Sequence, residues 1–121
     1  MTWRYRQSTG ELSKDGVILA RGYSGAGDSK NRPECQGEVC RGPIPAGDWI
    51  IAAVFDSATK GPWCLRLVPA PTTQVFGRAG FLVHGDSKSF PGTASEGCII
   101  LPRWAREAIW ASSDHALEVV T

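Results

Sequence analysis

The chain has 121 residues, among them fourteen glycines and eight prolines, and its thirteen basic and twelve acidic side chains give a formal net charge of +1. A chain of this length predicts one domain, 1–121, and the glycines and prolines favour loops over long helices. The balanced charge, without a basic block, argues against nucleic acid or an anionic membrane surface as a partner. No apolar run approaches the roughly 20 residues of a membrane helix, so membrane insertion is not expected.

The first half of the chain predicts strands separated by turns and by one long loop. WRYRQ at 3–7 alternates aromatic with charged residues, and KDG at 14–16 is a hairpin signal that leads into VILARGY. Residues 24–47 are rich in glycine and proline, and an irregular segment of this length in a small domain usually serves function. DWIIAAVF at 48–55 and WCLRLVP at 63–69 predict two further strands.

The second half predicts two short apolar strands, one helix and a final strand. GFLVH at 80–84 and CIILP at 98–102 are the short strands. Because proline suits the first position of a helix, we expect a helix directly after CIILP, with Trp104 on its apolar face and Arg106 on its polar face. ALEVV at 116–120 predicts an edge strand. The expected fold is mainly β, an antiparallel β-sandwich-like domain with one short C-terminal helix.

The two short strands carry the residues with the clearest chemistry. GFLVH ends at His84, CIILP begins at Cys98, and the 13 residues between them are rich in Gly, Ser and Pro. A cysteine attacks as a thiolate, and at neutral pH it normally needs a histidine to take its proton. In the turn before the cysteine, the amides of Gly97 and Cys98 are candidates to face an oxyanion, and Ser95 is a candidate to support the turn.

Other interpretations of these residues remain open from the residues alone. Cysteine is among the most buried residue types, and a histidine at a strand end is commonly structural. The order of histidine before cysteine argues against papain-like peptidases, in which the cysteine comes first. The spacing from Cys98 to Arg103 is one residue short of the phosphate loop of cysteine phosphatases, and no helix is expected directly after the cysteine.

The remaining cysteines are Cys35, Cys40 and Cys64. Four residues separate Cys35 from Cys40, which allows a disulfide in an oxidising compartment, two free thiols or part of a structural zinc site. Neither histidine is near them in sequence, which leaves zinc the least supported of the three. Cys64 lies within an apolar strand and is expected to be a small core residue.

The motifs HG at 84–85 and SEGCI at 95–99 resemble the active-site signature of L,D-transpeptidase (YkuD-like) domains, H-G followed by S-H-G-C. They resemble in particular the short branch that type VI secretion delivers as antibacterial effectors, in which the residue between Ser and Gly varies. QSTGELSKDG, GYSG and GPIPAGDW extend the similarity over the front of the chain. The resemblance therefore covers the chain from Trp3 to about Ile109.

The resemblance implies an enzyme without cofactor or metal that acts on the peptidoglycan stem peptide. Cys98 would attack the carbonyl at the L-centre of meso-diaminopimelate, next to the terminal D-alanine, and His84 would serve as base and then as acid. The carbonyl of Gly85 would orient the imidazole, and the amides of Gly97 and Cys98 would bind the oxyanion. Water would resolve the acyl-enzyme as an L,D-carboxypeptidase, and a D-amino acid or another amine would resolve it as a transpeptidase.

Two positions depart from the larger wall-building enzymes, which have histidine where Glu96 stands and often arginine where Ile100 stands. Arg103 is a candidate to recognise a substrate carboxylate in place of that arginine, or else a solvated residue of the first helical turn. Glu96 is a further candidate for substrate contact. Three more candidates for the substrate groove, with ordinary turn roles as the alternative, lie in or beside the long loop: Tyr23, Ser24 and Asn31.

The N-terminal sequence MTWRYRQSTG has no apolar segment of a Sec-type signal peptide. With the resemblance, this predicts a protein made in the cytoplasm, secreted by the type VI system and active in the periplasm of a target cell. A type VI delivery component and a periplasmic immunity protein are the implied partners. The alternative is a catalytically inactive module of the same fold that binds peptidoglycan or a partner.

Overall fold

The computed structural model describes residues 2–121, and these form nine strands and one α-helix. The strands are β1 (Trp3–Arg6), β2 (Glu11–Lys14), β3 (Val17–Arg21), β4 (Tyr23–Ser24), β5 (Gly47–Ser57), β6 (Gly61–Pro69), β7 (Leu82–His84), β8 (Ile99–Ile100) and β9 (Ala116–Val120). The helix α1 (Arg103–Ala111) lies between β8 and β9. The predicted mainly β class with one short C-terminal helix is confirmed.

All nine strands belong to one sheet, in the order β3-β2-β1-β9-β5-β6-β7-β8-β4. The sheet is mixed rather than wholly antiparallel, because β1 pairs with β9, and β7 with β8, in parallel. The strands at the two ends of this order, β3 and β4, are separated in the chain by Gly22 alone. The sheet therefore curls round until its two edges meet, and the predicted sandwich-like enclosure is built from one sheet.

The alternation of apolar and polar residues explains which side chains enter the core. In β1, Trp3 and Tyr5 are buried and the arginines between and after them are exposed. In β5, Trp49 and Ile51 are buried while Ile50 faces solvent. This two-residue period is the signature of strands with one covered face. The buried side chains of β1, β5, β6 and β9 form one core inside the curled sheet.

The position of β9 differs from its prediction as an edge strand. It lies inside the sheet, parallel to β1 and antiparallel to β5. Leu117 and Val119 enter the core, and the alternating residues are more exposed. Alternation of apolar and polar residues shows only that one face of a strand is covered. An interior strand has the same pattern as an edge strand when one face of the sheet is solvated.

The helix also differs from its prediction in detail. Pro102 is the N-cap rather than the first helical residue. Ala105 and Ile109 are buried as expected, but Trp104 is 56% exposed and Arg106 only 5% exposed. The arginine can cover core surface with its aliphatic stem, which charge-based assignment of helix faces overlooks. Nowhere in residues 2–121 is there a helix with the length and hydrophobicity that crossing a membrane requires.

Candidate active site

His84 ends strand β7 and is held in one orientation by the next residue. Its Nδ1 lies 2.9 Å from the carbonyl oxygen of Gly85, so Nδ1 carries the proton and donates it to that oxygen. The side chain is buried, and Nε2 has no hydrogen-bond partner among the described residues. Burial lowers the pKa of His84, and the positive charges of Lys60 and Arg106 lower it further. The imidazole is therefore neutral near pH 7, with the lone pair of Nε2 free to accept a proton.

Cys98 directly precedes β8, the strand that pairs in parallel with β7. Val83 is opposite Ile99 and His84 is opposite Ile100, so Cys98, two residues before Ile100, lies on the same face of the sheet as His84. Diagonal neighbours of this kind have Cα atoms roughly 7–8 Å apart, within reach of an imidazole. No direct hydrogen bond joins His84 and Cys98 among residues 2–121; the thiol instead lies 3.8 Å from the carbonyl oxygen of Gly80.

Cys98 is 8% exposed, and burial raises the pKa of its thiol. The backbone amide of Leu82 and the charge of Lys60 act in the opposite direction, without reversing the shift. The nucleophile candidate is therefore a neutral thiol at rest, beside a neutral histidine. Such a pair forms its thiolate only when the proton moves to the imidazole.

Ser95 ties the turn before Cys98 together from inside the protein. Its Oγ donates to the carbonyl of Cys98 at 2.6 Å, and it accepts hydrogen bonds from the amides of Gly25 at 2.9 Å and Gly97 at 3.1 Å. The Gly97 amide is thus already engaged, which differs from its predicted part in an oxyanion hole. The Cys98 amide forms no hydrogen bond with Ser95, so of the two amides it is the candidate to bind the oxyanion.

Cys98 and His84 open onto two adjacent depressions. Cys98 lines a cavity of about 240 Å³ together with Cys40 and Arg78. His84 lines a second cavity, of about 340 Å³, together with Gly85 and Asp86. Lys60 and Glu96 contribute to the walls of both. The predicted site residue Glu96 is therefore at the junction of the two cavities, and Lys60 joins it there from the turn between β5 and β6.

Tyr23 holds the loop that connects His84 to Cys98. Its hydroxyl donates to the carboxylate of Asp86 at 2.5 Å and accepts from the amide of Ala94 at 2.9 Å. Burial, with the hydrogen bond to Asp86, raises the pKa of Tyr23 to about 12. Lys30 lies over the ring, 4.6 Å from its centroid. Tyr23 thus braces the connecting loop, and it is not among the residues that line the cavities of Cys98 and His84.

Ser24 and Asn31 have bracing positions as well. Ser24 is fully buried, and its Oγ accepts from the amide of Ile44 at 2.8 Å and donates to the carbonyl of Gly97 at 3.2 Å. Asn31 accepts from the amide of Ser24 through its side chain at 3.1 Å and has a φ of 56°. Ser24 connects the long loop to the turn of Cys98 and Asn31 holds Ser24, and neither lines the two cavities.

Arg103 lies at the exposed start of α1. It pairs with Glu107 at 3.3 Å, and its guanidinium carbon is 5.8 Å from the centroid of the Trp63 ring. It does not line the cavity of Cys98 or that of His84. The structure thus brings together His84, Gly85, Ser95, Glu96, Gly97 and Cys98, but not Arg103.

Sequence reasoning missed Lys60 and Arg78, which line the cavity of Cys98. Lys60 lies in a polar turn, and such turns are common and carry no motif. Arg78 lies in an irregular segment before β7, 20 residues from the cysteine. The position of Arg78 shortly before the strand of His84 was the only local signal, and Lys60 had none.

The other cysteines are all thiols in the structure. Cys35 is half-buried and Cys40 exposed, while Cys64 is fully buried, as expected for a core residue. No cluster of three or more metal-binding side chains of His, Cys, Asp or Glu is present in residues 2–121.

The comparison with known protein families gives one result that covers most of the chain. The family profile of the Tlde1 domain matches residues 19–121, from β3 to the C-terminal end. No curated protein matches the chain. Both cavity residues with the clearest chemistry, His84 and Cys98, lie within the matched range. The chain therefore belongs to the Tlde1 domain family of type VI secretion L,D-transpeptidase effectors.

Proposed function

We propose that this protein is a cysteine acyl-transfer enzyme that acts on the stem tetrapeptide of peptidoglycan. The observation that carries the proposal is the buried, unpaired Nε2 of His84, on the sheet face that also bears Cys98. A buried polar atom without a partner costs stability, so its retention favours a functional use. The family membership favours an L,D-transpeptidase type of reaction.

In the first half-reaction, the Sγ of Cys98 bonds to the carbonyl carbon at the L-centre of meso-diaminopimelate while its proton passes to Nε2 of His84. The imidazolium keeps its orientation because Nδ1–H remains bonded to the carbonyl of Gly85. The tetrahedral intermediate then breaks its C–N bond, and His84 returns the proton to the departing D-alanine amine. The oxyanion is stabilised by the Cys98 amide.

In the second half-reaction, His84 takes a proton from the incoming nucleophile, which attacks the thioester and releases the thiol of Cys98. Water gives the tripeptide, as in an L,D-carboxypeptidase. A D-amino acid or a second stem gives an exchanged or cross-linked product, as in a transpeptidase. Either outcome removes tetrapeptide donors from normal cross-linking and would weaken the wall of a target cell.

Mass spectrometry of muropeptides tests this proposal directly. Purified tetrapeptide muropeptides are incubated with the protein, with and without an added D-amino acid, and the masses of the products are recorded. We expect loss of D-alanine in water and a mass corresponding to exchange when the D-amino acid is present. Unchanged muropeptides together with measurable binding to intact peptidoglycan would favour the inactive binding module instead.

The family and the proposed substrate together indicate where the protein acts and which partners it has. Membership of the Tlde1 family supports delivery by type VI secretion, and a peptidoglycan substrate requires action in the periplasm of the target cell. We propose a delivery component and a periplasmic immunity protein as partners. The open junction of the two cavities at Lys60 and Glu96 is the surface where an inhibitor would block both catalytic residues at once.

The pH profile of kcat/KM is predicted to rise once, with a midpoint below about pH 6.5, and then to remain flat to about pH 8. The base must be neutral, and the pKa of His84 is lowered by burial, so activity is lost only when the pH falls through this lowered pKa. The pKa of Cys98 is raised, so the thiol stays protonated throughout this range. A decline between pH 6.5 and 8 would contradict the neutral pair and favour a preformed thiolate–imidazolium pair.

Lys60→Gln is predicted to raise KM for tetrapeptide about tenfold, equal to about 1.4 kcal/mol of binding free energy. The side chain lines both cavities and forms no ion pair with a carboxylate among residues 2–121, so it is available to the carboxylate of the terminal D-alanine. Lys88→Gln, in the exposed connecting loop, is the matched control and leaves KM unchanged. A KM within twofold of the unmodified protein for Lys60→Gln would contradict the assignment.

A further inference from the structure

Arg78 is a buried cation beside the nucleophile candidate. It precedes β7 and is only 7% exposed, yet it forms no ion pair with a carboxylate among the described residues. A buried guanidinium without an anion carries a large desolvation cost, and burial lowers its pKa accordingly. A protein keeps such a costly buried charge where the charge has a function. The groups around Arg78 therefore indicate what that function is.

All four Nη hydrogens of Arg78 have backbone carbonyl acceptors. Nη1 donates to Gln36 at 2.5 Å and to Pro43 at 2.9 Å, and Nη2 donates to Gly42 at 2.8 Å and to Glu96 at 3.4 Å. Three of these carbonyls belong to the long loop, and the fourth belongs to the turn that ends in the nucleophile. One side chain thus connects both segments.

The backbone of Gly97 packs closely against this guanidinium. Its φ of 138° favours glycine, and a Cβ at this position would collide with Nη2 of Arg78. The end of an arginine side chain could usually move aside, but four carbonyls and the ring of Phe81, 5.1 Å away, hold this one in place. The backbone next to Cys98 is therefore set by contact with Arg78.

Arg78 also contributes charge to the cavity that Cys98 lines. The ionisable groups around Cys98 come from six segments: Cys40 from the long loop, Lys60 from the β5–β6 turn, Cys64 from β6, Arg78 from the segment before β7, His84 from β7 and Glu96 from its own turn. Glu96 opposes a thiolate, so the two cations are the groups that favour it. Of these, Arg78 is the one fixed by four hydrogen bonds.

We propose that Arg78 is the positioning residue of the nucleophile: it fixes the turn 96–98 against the long loop, and its charge stabilises the thiolate of Cys98 formed during attack. The inference rests on the proposed function for the role of Cys98. It assigns the connection between the long loop and the turn of the nucleophile to one buried arginine.

Two measurements on Arg78→Gln and Arg78→Lys test the proposal. The first is the rate of iodoacetamide alkylation of Cys98, followed by peptide mass spectrometry as a function of pH. The second is kcat and KM on tetrapeptide muropeptides. Arg66→Gln is the control, because Arg66 is an exposed arginine stacked on Phe55 at 4.4 Å.

For Arg78→Gln we expect the alkylation rate of Cys98 at pH 7 to fall about tenfold, since the thiolate fraction falls tenfold for each unit by which the thiol pKa rises. Arg78→Lys keeps the charge but cannot span four carbonyls, so its alkylation rate stays within about threefold of the unmodified protein. Its kcat falls at least about tenfold with KM little changed, because the turn loses its position. Arg66→Gln changes neither quantity.

Wild-type alkylation and turnover in a folded Arg78→Gln protein would overturn the proposal. If circular dichroism shows that this variant does not fold, Arg78→Lys and Gly97→Ala take its place, the latter displacing the guanidinium from the other side. If none of the three variants folds, Arg78 serves stability alone, and the proposal is overturned as well. Alkylation needs no peptidoglycan, so an effect on alkylation without any muropeptide turnover would reject the proposed substrate while leaving the role of Arg78 intact.

Discussion

Cys98→Ala is expected to abolish the release of D-alanine from tetrapeptide muropeptides while the protein remains folded. Without the sulfur there is no thioester, and the remaining contacts of the site cannot supply the nucleophile. The loss should be at least about 10³-fold, the scale seen when the nucleophile of an acyl-transfer enzyme is removed. Muropeptide mass spectrometry measures the turnover, and thermal unfolding followed by circular dichroism checks the fold.

Cys64→Ala is the matched control for this variant. Cys64 is also a buried thiol, and the register of β6 with β7, continued by one residue, puts it opposite His84. Its Sγ lies 3.3 Å from the carbonyl oxygen of Gly61, and unlike Cys98 it lines neither cavity of the site. Its replacement removes the same atoms from the core and should preserve turnover. Release of D-alanine by Cys98→Ala at more than a few per cent of the normal rate would rule out the thioester.

His84→Ala belongs to the same test, because the base and the nucleophile act as a unit. It should be as inactive as Cys98→Ala, whereas His115→Ala should remain active. His115 is exposed, and its Nδ1 is 2.8 Å from the carbonyl oxygen of Ile51, remote in sequence from both catalytic candidates. A His84→Ala protein with near-normal turnover would mean that another group accepts the proton of Cys98.

The strands were accessible to sequence reasoning because their burial has a period of two residues. WRYR alternates in sequence and in burial, while DWIIAAVF is a continuous apolar run whose burial alternates from Asp48 to Ala52. Pairing was not accessible, because alternation along one strand contains no information about its neighbours. The parallel partners of β1 and β7 and the interior position of β9 depend on contacts between residues far apart in the chain.

In the candidate site, too, residues close together in the sequence were predictable and contacts between distant residues were not. His84, Ser95 and Cys98 lie at the ends of one strand–loop–strand segment, and local sequence was sufficient to group them. Arg78 is joined to Gly42 and Glu96 across 36 and 18 residues, and no local pattern encodes such contacts. Arg103 shows the reverse: the family resemblance made it a candidate for substrate recognition, but it pairs with Glu107 and lines neither cavity.

Ser95→Ala is the second variant for which we expect a large effect, here on both stability and rate. The change leaves the amides of Gly25 and Gly97 and the carbonyl of Cys98 without their buried partner. Buried unsatisfied groups cost about 1–3 kcal/mol each, and partial relaxation of the turn should leave a net loss of about 3 kcal/mol in the free energy of unfolding. For a domain of this size that corresponds to a melting temperature lower by roughly 10 °C.

The rate should fall about 10²-fold at a temperature where Ser95→Ala is still folded, because a displacement of about 1 Å in a reacting group has a cost of that order. Ser89→Ala is the control: it removes an exposed hydroxyl from the same connecting loop and should change stability by less than about 0.5 kcal/mol. Reduced stability with unchanged turnover would limit Ser95 to holding the fold. Loss of both, with Ser89→Ala unaffected, would show that the hydrogen bonds which stabilise this turn also place its cysteine for attack.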